Sequence, residues 1–184
     1  TAHEVGHTLG LRHNFEASAA YPLSTSHSEL FKAAESHNSA SVMDYLPPII
    51  PSNRSKQGDW YQTTIGAYDR WAIKYGYTVV PDEVDGEQHP TLAAIANEAV
   101  ANAELNFATD EDVHQSLQPY ASQWDMGSNP VEFYEDRLRL VRGRLNTVLE
   151  RTVRVNETEA FETDRQVRVL VQQTSRAGVG LARF

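Results

Sequence analysis

Residues 3–13 read His3-Glu4-Val5-Gly6-His7-Thr8-Leu9-Gly10-Leu11-Arg12-His13, the pattern HExxHxxGxxH, and their reading decides the rest. On an α-helix, residues four apart share a face, so His3 and His7 can both point at a single ion, with Zn–N distances of roughly 2.0–2.1 Å. Glu4 follows the first ligand, where its carboxylate can reach a metal-bound water without binding the metal and accept the proton that water loses. Gly10 comes one turn after His7, and a glycine there lets the chain turn left-handed, stop the helix and bend back to bring His13 to the metal. Three protein ligands leave the fourth position of a tetrahedral zinc ion open, as a catalytic site requires. Val5, Leu9 and Leu11 flank the motif with apolar surface and place this helix in an interior.

A second element lies downstream, Ser41-Val42-Met43-Asp44-Tyr45. Taken alone, Met43 reads as an ordinary core methionine. Together with the zinc motif it resembles the methionine turn of the metzincin metallopeptidases. The resemblance implies that Met43 forms an apolar floor beneath His3, His7 and His13. It also implies a role for Tyr45, which stands where astacin-like and serralysin-like members carry a tyrosine that touches the zinc or the oxyanion. A phenol there would donate a hydrogen bond to developing negative charge.

Asn14 and Phe15 depart from the Glu, Asp, Ser or Pro that follows the third histidine in the better-known branches. The run from His3 to Phe15, the Met43 segment, and the stretch from Ile65 to Tyr77 resemble a bacterial family of large zinc-dependent metallopeptidases of unknown function. That resemblance implies an endopeptidase exported from the cytoplasm, periplasmic or secreted. It also implies a sheet upstream of the metal helix, which these residues do not contain. The expected fold is therefore mainly α: the C-terminal part of a metzincin-like catalytic domain, residues 1–77, followed by a helical accessory region, residues 78–184.

With 184 residues and 40% hydrophobic content, the chain can bury one ordinary core or two small ones. The net charge is −9 and no block of Lys or Arg interrupts it, so the sequence carries no electrostatic footprint for nucleic acid or an anionic membrane. The absence of cysteine excludes disulfides and thiolate ligands, which leaves His and carboxylate as the metal chemistry.

A short helix is expected over residues 28–36 and a Pro-rich loop around Pro47, Pro48, Pro51, Ser52 and Asn53. Ile65, Tyr68, Trp71, Ala72 and Tyr75 recur at helical spacing as a core stripe, and Pro81 to Pro90 reads as an acidic, turn-rich link. Thr91 to Asn106 is alanine-rich, with Leu92, Ile95, Ala96, Val100 and Leu105 on a broad helical face. Asn129, Pro130 and Glu132 form a helix start, followed by the seam Val131, Tyr134, Leu138, Val141, Leu145 and Val148. Asn156 and Glu159 repeat the start. The partner helix expected from Phe161 onward contains Val167, Val169 and Val171, which alternate like a strand. Asp110, Glu111 and Asp112 lack the spacing of a calcium loop and read as a solvated turn. His27, His37, His89 and His114 read as surface residues.

The expected activity is zinc-assisted peptide hydrolysis on a peptide or protein substrate, with Glu4 as general base and Tyr45 steadying the oxyanion. As an isolated piece the chain is expected to turn over weakly or not at all. Two alternatives from other classes are a pseudoenzyme that binds peptide and a helical scaffold module with a disabled site.

Overall fold

A computed structural model describes residues 1–26, 38–80, 89–115, 118–152 and 157–183. The described residues are mainly helical and contain no strand. The helices are α1 (Ala2–Thr8), α2 (Leu23–Ser26), α3 (Ala67–Tyr77), α4 (Pro90–Asn97), α5 (Asp110–His114), α6 (Pro130–Thr152) and α7 (Glu157–Leu181). The helix expected over 28–36, His27, His37, most of the Pro81–Pro90 link and Asn156 lie outside the described residues.

The longest elements, α6 and α7, pack along each other. The α6 start follows the sequence: Pro130 opens the helix and the Asn129 side chain accepts from the Glu132 backbone N–H at 3.4 Å. Along its seam Tyr134, Val141 and Val148 are buried, whereas Val131 at the first turn is exposed. Residues 166–171 are helical, so Val169 and Val171 are exposed positions on α7 rather than one face of a strand. At one end of the pair Gly180 lies on Tyr134. A Cβ at residue 180 would come 2.1 Å from the Tyr134 ring, so glycine permits the close approach of these two helices.

That end is also the main core, where Leu23, Ile49, Met126, Phe133, Tyr134 and Ala177 bury together. Each large side chain buried there contributes about 1.5–3 kcal/mol. The proline loop is fastened to α6 by the Ser52 backbone N–H donating to Asp136 Oδ2 at 3.0 Å and by Arg137 donating to the Pro48 carbonyl at 3.0 Å. A second cluster joins Phe15, Ala108 and Ala121 beside Tyr45 and Val113. A third joins Ala17, Ala40 and Tyr68, with Trp71 and Ala72 against it.

Several local expectations give way to tertiary context. The stretch from Thr91 to Asn106 is not one helix. It is helical only to Asn97, and Asn102 then caps a separate turn, Ala103–Leu105, through the Glu104 backbone N–H. Ile95 and Leu105 are buried, but Val100 falls in the break and is 82% exposed. In the aromatic stripe, Tyr68 is buried while Ile65 precedes the helix and, like Tyr75, is exposed. On α1 the apolar flanks Val5 and Leu9 are exposed, at 50% and 41%, and the buried position is Gly6 instead. Asp110, Glu111 and Asp112 form the first turn of α5, capped by Thr109 and Asp112. The His89 ring accepts from the Thr91 backbone N–H and so caps α4.

Candidate metal centre

Helix α1 carries His3 and His7 on successive turns, and Gly10, at φ +89°, ends it with the left-handed residue the motif calls for. The chain doubles back, with the Leu11 backbone N–H donating to the Gly6 carbonyl at 3.0 Å, and delivers His13. One ring nitrogen from each of His3, His7 and His13 lies within 4.8 Å of the others.

The opposite nitrogens are all engaged. His3 Nδ1 donates to the Val42 carbonyl at 2.7 Å, and His7 Nδ1 donates to the Leu11 carbonyl at 2.9 Å. His13 Nδ1 stands 3.1 Å from both carboxylate oxygens of Asp110. A carbonyl or carboxylate accepts, so each Nδ1 carries a proton and Nε2 is the nitrogen left for a metal. His13 Nε2 is buried with no hydrogen-bond partner among the described residues. A buried acceptor left unpaired costs about 1–3 kcal/mol, so this atom wants a Lewis acid or a donor. Three imidazoles with outward nitrogens fixed by backbone and carboxylate are the donor set of a transition-metal site.

The floor is Met43, which is fully buried. A Cβ on Gly6 would fall 2.3 Å from Met43 Sδ, so glycine at the position inside HExxH that faces the methionine lets α1 rest directly on it. The turn carrying Met43 is held by Asp69 on α3. Asp69 accepts from Ser41 Oγ at 2.5 Å, from the Val42 backbone N–H at 2.9 Å and from the Gly66 backbone N–H at 2.7 Å. Ser41 Oγ accepts in turn from the Met43 backbone N–H at 2.9 Å. Gly66 is needed too, because a Cβ there would meet the Ala40 carbonyl at 1.8 Å.

Asn14 and Phe15 pin the segment after His13. The Asn14 backbone N–H donates to the Met43 carbonyl at 3.1 Å, and its side chain donates to the Asn106 carbonyl and accepts from the Ala108 backbone N–H. Phe15 exchanges backbone bonds with Ala108 and Ser122 and stacks under His13, ring centroids 5.0 Å apart. Arg12 adds an ion pair to Glu111 at 2.6 Å. Asp110, which the sequence offers as part of a solvated acidic turn, is thereby brought to His13. Asp69, Gly6, Asn14 and Phe15 likewise have structural roles that local patterns did not assign. The Gly66–Asp69 spacing, N-cap to third helical residue, was the one readable signal among them.

Tyr45 lies with its ring 4.7 Å from His13 and 5.4 Å from His3, between them and Trp124, on which it stacks at 5.5 Å. The Trp124 backbone N–H donates to the Tyr45 carbonyl at 2.8 Å, and Trp124 adopts φ +66°, a conformation costly for a bulky residue and held here by that bond. Glu4 is exposed on α1 beside His3, with no hydrogen bond or ion pair among the described residues.

Behind Tyr45 two carboxylates are buried. Asp44 accepts from the Ser18 backbone N–H at 2.8 Å, and Asp125 accepts from Ser18 Oγ at 3.3 Å. Burial, then the charge of Asp125, pushes Asp44 well above the usual carboxylate range. Burial pushes Asp125 up to about 7 against the pull of Ser18 and Arg183.

Among known proteins, a family profile described as Met-zincin matches residues 1–181. No curated protein and no solved structure matches the chain. The profile spans the histidine motif, the Met43 turn and the paired helices α6 and α7 alike, and the chain belongs to the Met-zincin family.

Proposed function

We propose that this chain carries the catalytic centre of a zinc-dependent endopeptidase acting on peptide or protein substrates. The observation that carries the reading is the set of three histidines whose Nδ1 atoms are all engaged elsewhere, leaving three lone pairs for one ion. His3, His7 and His13 would hold the zinc. When bound, zinc acidifies a coordinated water and polarises the scissile carbonyl.

The chain's own residues supply the rest. Glu4, unpaired among the described residues and next to His3, takes a proton in the attack and returns it to the leaving amine. Tyr45 is steered by Trp124 to the same side as the histidines, where its hydroxyl donates to the carbonyl oxygen as charge builds. Asp110, Val42 and Leu11 hold the imidazole tautomers. The proposal includes the extracytoplasmic setting implied by the resemblance. No helix among the described residues is long and apolar enough to cross a membrane.

The test is cleavage of a mixed peptide library by the zinc-loaded chain, with Glu4→Gln and a chelated sample beside it. Cleavage that disappears on chelation and falls about 10²–10⁴-fold in Glu4→Gln supports the reading. Cleavage indifferent to chelation or to Glu4 overturns it, as does a chain that takes up no zinc, and either result favours the helical binding module.

A further inference from the structure

A cleft of about 1390 Å³ runs between α6, α7 and the proline loop and reaches Val113 and Trp124. These two residues lie next to parts of the metal centre, since Trp124 stacks on Tyr45 and Val113 belongs to α5, whose Asp110 holds His13. Its lining has a charge opposite to that of the chain. Arg54, Arg137, Arg139, Arg144, Arg176 and Arg183 line it, whereas no described acidic residue does, in a chain with 25 Asp and Glu and a net charge of −9.

Asp136 acts on Arg137 and Asp125 on Arg183 at longer range, but close carboxylate pairing is sparse. Among the described residues only Arg139 of this group is ion-paired, with Glu135 and Asp136 at 3.6 and 3.9 Å. Arg137 donates to the Pro48 carbonyl and stands 5.1 Å over the Phe133 ring. Arg183 reaches Ser122 Oγ at 3.4 Å and Arg54 bonds Gln57, while Arg144 and Arg176 are exposed with no partner among the described residues. Burial lowers the pKa of Arg137 against the opposing charge of Asp136. Guanidinium groups bind carboxylates through paired, planar hydrogen bonds, and such pairs strengthen where water is excluded.

We propose that this cleft binds an acidic peptide segment, the glutamate- or aspartate-rich part of the substrate, beside the metal centre. The volume exceeds the roughly 300–1,000 Å³ of a small-molecule pocket, which favours a chain over a metabolite. The net negative charge of the protein disfavours a long polyanion, whereas a short acidic segment meets only the arginines. The substrate role rests on the endopeptidase reading, but binding in the cleft does not.

The experiment uses the metal-free 184-residue chain and fluorescence anisotropy with a labelled glutamate-rich peptide, its glutamine counterpart and an unlabelled oligothymidylate competitor. The expected result is glutamate-peptide binding about tenfold tighter than the glutamine peptide, falling about tenfold in Arg144→Glu/Arg176→Glu. Both positions are exposed, and circular dichroism checks that the variant is folded. Equal binding of the two peptides, binding unchanged in the folded variant, or an oligonucleotide that binds more tightly than the acidic peptide would overturn the proposal. If the chain takes up no zinc, or its cleavage is indifferent to Glu4, while charge-selective binding persists without metal, the endopeptidase reading falls and the cleft assignment stands.

Discussion

Both carboxylate oxygens of Asp110 stand 3.1 Å from Nδ1 of His13, a residue 97 positions earlier in the chain. The bond fixes the tautomer and ring angle of the third histidine, the one ligand not carried by α1. Removing such a partner weakens metal binding about 10–100-fold. Asp110→Ala is therefore expected to lose zinc affinity by that factor in a chelator competition, with Asp110→Asn in between because an amide oxygen still accepts. Affinity unchanged in Asp110→Ala would mean that the contact does not orient His13.

Gly6 faces the methionine at a distance that leaves no room for a side chain unless Met43 moves. Gly6→Ala puts a methyl 2.3 Å from Met43 Sδ, so the buried methionine side chain, the turn or the helix must shift. Overpacking of this kind costs about 1–3 kcal/mol. The expected outcome is a lower melting temperature together with weaker zinc binding, and the double variant Gly6→Ala/Met43→Ala should recover part of both. A Gly6→Ala protein as stable as the parent would show that Met43 is not packed beneath α1.

Asp69 ties the turn of Met43 to α3 through three donors. Replacing it by alanine strands buried donors, each at about 1–3 kcal/mol. Asp69→Ala is expected to be among the most destabilising substitutions outside the apolar core, measured by urea unfolding. A loss below about 1 kcal/mol would assign the turn's rigidity to other contacts.

What the sequence disclosed of this fold and site depended on how far apart the interacting residues lie along the chain. The metal motif could be read because its parts act within one helix and one turn: Gly10 had to be left-handed, and it is. The start of α6 was similarly local, set by Asn129 and Pro130, whereas the stripe counted Ile65, which lies before α3. Asp110 was not legible, because three adjacent acids look like a solvated turn until the fold brings in His13 from a distant segment. Asn14 and Phe15 stood out as unusual, yet what they do depends on residues 106–108 and 122. The exposure of Val5 and Leu9 contradicts their periodicity for the same reason, since the buried side of α1 is chosen by Met43.

The buried carboxylates make stability depend on pH. Asp125 has a folded pKa of about 7, above the unfolded value of roughly 3.9, so the folded state holds the proton more tightly. The stability this contributes is full below the unfolded value and is lost as pH rises through about 7. Asp44 is shifted in the same direction. The metal-free chain should melt lower at pH 8 than at pH 6, and Asp125→Asn should raise the melting temperature at pH 8 and flatten the slope. An unchanged slope in Asp125→Asn would show that this carboxyl ionises freely in the folded state.

The central claim is that His3, His7 and His13 form one metal site. It is tested most directly by elemental analysis of the zinc-equilibrated, desalted chain alongside His13→Ala and Glu4→Gln. The account expects one zinc per chain in the parent and in Glu4→Gln, and loss of that zinc in His13→Ala. No zinc in the parent, or zinc retained at full occupancy without His13, would contradict it.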